Sequence, residues 1–303
     1  MQPLINFIKN PRIFVQSLLN RFGVMLPDRI YLKWMFRLRM GKKLNLDNPI
    51  SYNEKLQWLK LYDRRPEYTM MVDKYAVKDY VTQKIGKEYV IPTLGVWNSI
   101  EEIEWEKLPN QFVLKTTHDG GSCGVVICQD KSVFDRQKAI VKLKRSLSYN
   151  PYNGAREWPY KNVPKRIIAE KYIEPDPDLN DLPDYKYFCF NGEVKALFVA
   201  TDRQTPGEEV KFDFFDADYN HLPFRQGHNN ATIVPDKPGS FDKMKQLASK
   251  LSEGIPQLRV DFYEVNGRPL FGEMTFFHFS GMVPFCPQEW DDKFGGWIRL
   301  PKK

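Results

Sequence analysis

The spacing of apolar and charged positions changes several times along the chain. Near its start, Arg29, Lys33 and Arg37 recur at i, i+4 and i+8 on one helical face, with Ile30, Trp34 and Leu38 in the adjacent stripe. Residues 51–61 place Ser51 three positions before Glu54, a capping-box signature, and continue with an amphipathic helical repeat. Residues 69–84 predict a second helix that ends near Gly86. Strands are then expected at 89–97, 111–116 and 124–128, a helix at 134–147, and a Pro/Tyr/Asn-rich loop at 149–164. A strand at 166–173 leads to a hairpin at 185–199 turning on Asn191-Gly192. Residues 202–239 read as irregular, followed by a helix at 240–253 and a last hairpin at 257–277. Hairpins outnumber any βαβ pattern, which predicts an α+β fold.

Composition narrows the function classes. Hydrophobic residues make up 42% and charged residues 27% of 303 residues, an ordinary globular balance. No run of about 18 apolar residues is present, and no secretory signal is expected. The four cysteines (Cys123, Cys128, Cys189, Cys286) have no zinc spacing and read as reduced thiols of a cytoplasmic protein. The net charge of +7 is unevenly placed: residues 1–43 carry nine Lys or Arg against the single acid Asp28, so the rest of the chain carries −1. A basic, aromatic-bearing segment of this kind either docks an anionic membrane or polyanionic glycan or packs on the fold with a solvated face.

Two segments carry chemistry. In the first, a strand delivers Lys115, the loop Thr117-His118-Asp119-Gly120-Gly121-Ser122-Cys123-Gly124 follows, and a second strand leaves. Glycines let backbone N–H groups approach phosphate oxygens, and a lysine at the base of the loop adds a point charge. The lysine precedes the glycines and the exit is β-branched, which excludes a Walker P-loop, and the kinase motif set is absent as well. In the second segment, Arg259, Asp261 and Tyr263 share one face of a strand. Whether Glu273 joins them depends on the turn. A two-residue Asn266-Gly267 loop puts Asp261 and Glu273 on opposite faces, whereas a three-residue loop, Asn266-Gly267-Arg268, pairs them directly. The three-residue register is expected here. Two carboxylates so close repel unless a cation sits between them or one is protonated, and hard oxygen ligands favour Mg²⁺.

The order DKYAVKDYV (73–81), IGKEYVIPTLGVW (85–97), LPNQFVLKTTHDGGSCGV (108–125), IIAEKYIEP (167–175), DYKYFCFNGEV (184–194) and RVDFYEVNGRPLFGEMTFFHFSG (259–281) resembles the ATP-grasp superfamily. Within it, the chain is similar to the TupA-like ATP-grasp family of teichuronopeptide biosynthesis, over roughly residues 50–300. That resemblance implies two α+β subdomains clasping ATP between antiparallel sheets. The expected division is a basic segment 1–45, an N-terminal domain 46–105, a lid subdomain 106–170 and a metal-binding subdomain 171–303. It also implies that Lys74 and Lys115 contact phosphate, and that Gly120, Gly121, Ser122 and Gly124 form a lid over the phosphates. Glu170, Lys171, Tyr172 and Ile173 match the strand that presents backbone groups to adenine, with Asp176 or Asp178 on the ribose. Lys186 and Arg259 match the catalytic cations on the transferred phosphate. Asp261 and Glu273 match the metal acids, with Thr275 where the family has Asn. His118, His278, Ser280 and Gly281 are placed at the acceptor.

The activity so implied is ATP- and Mg²⁺-dependent joining of a carboxylate to an amine through an acyl phosphate, without an enzyme nucleophile. The family setting points to an amino acid or amine joined to a uronic-acid carboxylate of a surface polysaccharide, at the inner face of the membrane. No nucleic-acid partner is expected. Three alternatives stay open: a phosphotransferase on the same fold, a nucleotide-sugar glycosyltransferase using Asp216-Ala217-Asp218, and a non-enzymatic binder of polyanions or membranes.

Overall fold

A computed structural model describes residues 23–121, 123–176, 182–203 and 207–302. Residues 1–22 of the basic segment, Ser122 and Asp178 lie outside them. The chain opens with helix α1 (Asp28–Met40) and helix α2 (Tyr52–Tyr62). Both halves of the α2 capping box form: Ser51 Oγ accepts from Glu54 N, and the Glu54 carboxylate accepts from Ser51 N. The helix expected at 69–84 is two helices, α3 (Glu67–Val72) and α4 (Val77–Ile85). Asp73 separates them, leaving the helical conformation at ψ 113° and accepting from Tyr75 N and Ala76 N.

Strand β1 (Thr93–Trp97) starts past Pro92, which has no N–H to give to a ladder. It is followed by β2 (Phe112–Thr116), β3 (Val125–Cys128) and helix α5 (Arg136–Ser148). The loop expected at 149–164 contains the short helix α6 (Pro151–Ala155), capped by the Asn150 side chain with Pro151 in its first turn. Strand β4 (Ile167–Lys171) completes a four-stranded antiparallel sheet of order β1-β4-β2-β3.

Next come β5 (Asp184–Phe190) and β6 (Glu193–Thr201), then β7 (Lys211–Asp216) and β8 (Arg225–Gln226) in the stretch read as irregular. Helix α7 (Phe241–Leu251), β9 (Leu258–Val265), β10 (Arg268–Thr275), β11 (Phe285–Cys286) and helix α8 (Glu289–Trp297) end the chain. The second sheet is antiparallel, of order β10-β9-β5-β6-β7, and β8 pairs with β11. The fold is α+β, as the pattern predicted.

Apolar burial divides into two clusters. One, around Trp97, Phe112, Leu114, Leu143 and Ile167, lies between the four-stranded sheet and α5. The larger one takes in the five-stranded sheet, α7, α8 and the helices up to Val81. Helix α1 belongs to the larger cluster through Tyr31, Leu32, Met35 and Phe36. Arg156 fastens it further, pairing with Asp28 at 3.0 Å and lying over the Tyr31 ring. The stripe read from sequence faces the other way, with Ile30 45% and Trp34 55% exposed. Among the described residues, no helix is long and apolar enough to cross a membrane.

Candidate active site between the two sheets

The β9–β10 turn is the two-residue Asn266-Gly267 loop, with φ of 50° and 68°, and Arg268 pairs with Val265. The three-residue loop expected from sequence is therefore wrong. Its consequence survives for a different reason: a bulge between Phe271 and Glu273 shifts the register by one, so Glu273 pairs with Asp261 after all. The extra residue is Gly272, whose Cβ would lie 3.2 Å from the Asp261 carbonyl oxygen, where even a methyl group is tight.

Around this pair the five-stranded sheet builds a buried ion network. The Arg259 guanidinium grips Asp261 with two hydrogen bonds of 2.7 Å, and reaches Glu273 at 3.2 Å and Thr275 Oγ1 at 3.0 Å. The cation between the two carboxylates is thus an arginine. Lys186, directly across β5 from Asp261, pairs with it at 2.5 Å and with Asp184 at 2.6 Å, and Asp184 also holds Arg203 at 2.9 Å. Three acids and three bases balance. Burial pushes the Asp261 carboxyl up, but Arg259 and Lys186 outweigh it and hold it below the ordinary carboxylate range. Burial disfavours the charged Lys186, yet Asp184 and Asp261 raise it above an ordinary lysine. His278 Nδ1 accepts from Arg259 Nη1 at 2.7 Å. Burial, with Arg259 and Lys186, pushes this imidazole well below its usual range, so it is neutral.

The four-stranded sheet faces this network with lysines. Lys115 of β2 pairs with Glu170 of β4 at 2.5 Å, and Lys78 of α4 takes the other oxygen of Glu170 at 2.5 Å. Burial opposes the Lys115 charge, but Glu170, Tyr263 and Glu273 raise it above an ordinary lysine. The last two belong to the five-stranded sheet, so the Lys115 ammonium lies within electrostatic reach of the ion network. Lys74 donates to the carbonyl of Asp119 and lies 3.4 Å from its carboxylate. Its own backbone N–H bonds Thr117 O, which ties the break between α3 and α4 to the loop.

That loop is anchored beneath by Asp119, which accepts from Ser146 Oγ at 2.5 Å, and by Thr116, which shares the same hydroxyl at 2.7 Å. A Cβ on Gly124 would fall 2.1–2.6 Å from Thr116, Ser146 and Asp119, so no side chain fits there. Gly120, Gly121 and Cys123 are exposed at the tip. His118 is buried below, with Nε2 at 3.2 and 3.1 Å from the carbonyls of Ser146 and Tyr149, so it holds the end of α5.

At the expected adenine strand, Lys171 N bonds Pro92 O and the ladder ends there, leaving the Tyr172–Ile173 peptide beyond it. The Tyr172 hydroxyl accepts from Gln129. Asp176 accepts from Asn266 N at 3.0 Å, fixing the β9–β10 turn against this strand. Ser280 and Gly281 follow His278 in a left-handed turn whose carbonyls are held by Gln57 and Lys60.

Asp216 and Asp218 sit elsewhere, at the end of β7 on the edge of the sheet opposite β10. The Asp216 carboxylate closes a local turn onto Asp218 N and Asn220 N.

The sequence reading missed Lys78, Asp184 and Lys60. Two of them carried a signal: Lys78 lies four residues after Lys74, and Asp184 shares a strand face with Lys186.

The oxygens of Asp261, Glu273 and Thr275 are hard donors of the kind Mg²⁺ takes together with phosphates and water. Among the described residues, no three His, Cys, Asp or Glu side chains gather as a self-sufficient metal cage. Two carboxylates and a hydroxyl fit an ion whose remaining ligands come from phosphate and water.

A family model described as TupA-like ATPgrasp matches residues 54–299. Comparison with curated proteins gives no match. Among solved structures, the chain is similar to a D-alanine–D-alanine ligase from Helicobacter pylori, at 15% identity and TM-score 0.43, covering 82% of this chain and 69% of that one. It is also similar to an L-amino acid ligase from Bacillus licheniformis (14%, TM-score 0.46, 86% and 57%). A D-alanine–D-alanine ligase from Bacillus anthracis complexed with ATP gives 14%, TM-score 0.39, 68% and 54%. The chain spans 54–69% of the length of these three structures. The family match runs from the capped start of α2 to just past α8, and the chain belongs to the TupA-like ATP-grasp family.

Proposed function

We propose that the chain is an ADP-forming carboxylate–amine ligase whose cleft holds ATP·Mg²⁺ between the two sheets. The observation that carries this reading is the Lys186–Asp261–Arg259–Glu273–Thr275 network facing Lys115 across the cleft. A carboxylate resists amines because its oxide is a poor leaving group. Transfer of the γ-phosphoryl group makes an acyl phosphate, from which phosphate leaves when the amine attacks. This chemistry needs positioned cations and no protein nucleophile. The site has that inventory: Arg259 and Lys186 for the transferred phosphoryl group, and Lys115, Lys74 and Lys78 for the phosphate chain. Gly120, Gly121, Ser122 and Gly124 form the lid. The Glu170–Ile173 segment takes adenine, and Asp176 or Asp178 takes the ribose. Asp261, Glu273 and Thr275 would hold Mg²⁺, which supplies charge neutralisation between the phosphates. His118, His278, Ser280 and Gly281 remain the candidates on the acceptor side, with His118 and His278 acting from buried positions.

The substrate class we favour is an amino acid or amine joined to a uronic-acid carboxylate of a surface polysaccharide, as the resemblance implies. Helix α1 supports work beside an anionic membrane or glycan: Lys33 and Arg37 flank the exposed Ile30 and Trp34. Arg29 is partly engaged with Asp47 and Tyr62. The glycosyltransferase reading draws no support from Asp216, whose carboxylate accepts from Asp218 N, Asn220 N and Asn220 Nδ2 in its own turn. The test of function is ADP release from ATP·Mg²⁺ with hydroxylamine, which traps acyl phosphates, across a panel of uronic acids. Hydroxamate formation supports the ligase, and a stable phosphorylated product would favour the phosphotransferase.

A further inference from the structure

The segment between α6 and β4 reads from sequence as a connection, yet it brings two polar groups to the cleft. Glu157 Oε1 accepts from Ser280 Oγ at 2.5 Å, and its second oxygen has no hydrogen-bond partner among the described residues. The pair is held rigidly. Lys60, fully buried, donates to Ala155 O at 2.9 Å just before Glu157, to Ser280 O at 2.8 Å, and to Gln57 at 3.0 Å. All three of its N–H groups are committed, so the lysine positions both residues and has none left to neutralise Glu157 by contact.

Phe279, Ser280 and Gly281 are successively left-handed, with φ of 48°, 56° and 59°. Such strain at non-glycine residues persists where the surroundings impose it. Here Gln57 and Lys60 impose it through the carbonyls. Tyr160 is 8% exposed, and its hydroxyl has no hydrogen-bond partner among the described residues. That hydroxyl lies within electrostatic reach of Glu157, Glu273, Arg259 and Asp119.

We propose that Glu157, Ser280 and Tyr160 form the subsite that receives the protonated amine of the acceptor. The proposal rests on the ligase reading and names where its second substrate is held. An ammonium carries three N–H donors; the carboxylate of Glu157 and Ser280 Oγ lie side by side to take two of them, and Tyr160 Oη, within electrostatic reach of Glu157, is assigned the third. The carboxylate supplies the opposite charge, which a neutral or acylated nitrogen would not use. Burial pushes the Glu157 carboxyl above its ordinary range against the pull of Lys60, so an arriving cation relieves a cost already present. The neighbouring acid Asp184 offers no such place, because Lys186 and Arg203 already pair with it.

The test is calorimetric titration of the full chain, with saturating Mg²⁺ and a non-hydrolysable ATP analogue. The probes are primary amines (L-alanine, L-lysine, L-glutamate, ethanolamine) and their N-acetyl derivatives. We expect at least one amine to bind and its N-acetyl derivative not to. Glu157→Gln should weaken that amine at least tenfold, and Tyr160→Phe a few-fold, with analogue affinity unchanged. If Glu157→Gln also loses the analogue, Ser280→Ala carries the test and should weaken the amine several-fold. Failure of every amine to bind the wild type, or equal binding by Glu157→Gln and Ser280→Ala, overturns the subsite. The ligase reading fails separately, if the wild type does not bind the ATP analogue at all.

Discussion

Asp261 and Glu273 face each other across one register position, yet their substitution should give opposite phenotypes. Asp261 is 1% exposed and accepts from Arg259 Nε, Arg259 Nη2 and Lys186 Nζ at 2.7, 2.7 and 2.5 Å. Asp261→Asn removes the charge that compensates two buried cations and turns an N–H₂ towards their donors. Breaking a buried pair in this way costs about 3–5 kcal/mol. For a chain of this size that corresponds to a fall in Tm of roughly 5–8 °C. The Glu273 side chain is 31% exposed and takes one bond of 3.2 Å from Arg259. Glu273→Gln should therefore cost at most about 1 kcal/mol. Its effect should appear in turnover, as a loss of about 100-fold or more if the carboxylate holds Mg²⁺ against the phosphates. The assay is a thermal melt of both variants beside steady-state ADP release at saturating ATP. An Asp261→Asn protein that melts with the wild type would refute the buried network. A Glu273→Gln protein with full turnover would refute the metal assignment, and Asp261→Asn alone cannot decide that question because its instability confounds it.

Lys115→Ala and Lys78→Ala should each weaken ATP binding in equilibrium titration, about tenfold for Lys115, because both lysines bracket Glu170 at the mouth of the cleft. Gly124→Ala should destabilise the protein by about 1–3 kcal/mol in denaturant unfolding, since its methyl group has no room between Thr116, Ser146 and Asp119. The imidazoles of His118 and His278 are both held below the ordinary value, largely by burial. The unfolded chain then binds more protons than the native one, so stability is full above about pH 6.5 and declines as pH falls below it. His278→Asn should flatten that decline in melts between pH 7.5 and 5. Because α1 is part of the core, deleting residues 1–43 would damage the fold. The double change Lys33→Glu with Trp34→Ser should leave Tm within a few degrees and abolish salt-sensitive sedimentation with phosphatidylserine vesicles, if the exposed face of α1 meets a membrane.

The legible parts of the fold were those set by local chemistry. Ser51 and Glu54 cap α2 because both partners lie within one turn, and Asn191-Gly192 marks the β5–β6 hairpin because two positive φ values are needed there. The pairing of Asp261 with Glu273 was anticipated through the wrong device. Asn266-Gly267 favours the two-residue turn on its own, and the compensating bulge at Gly272 lies beyond the reach of turn rules. Which face of α1 packs stayed open in the sequence for a related reason. Ile30 and Trp34 satisfy the helical period, but Tyr31, Leu32, Met35 and Phe36 are the residues that find partners, among them Arg156 from far along the chain. Glu157 and Lys60 carried no pattern at all: their link to Ser280 joins three segments that only tertiary packing brings together.

The central claim is amide formation driven by ATP. Its most direct test is mass spectrometry of products after incubating the protein with ATP, Mg²⁺, a panel of uronic acids and a panel of amino acids. The account predicts a new species at the mass of one acid plus one amine less water, with one ADP and one phosphate released per coupling. ADP with a stable phosphorylated acid and no nitrogen incorporated, or product formed only from a nucleotide sugar, would contradict it.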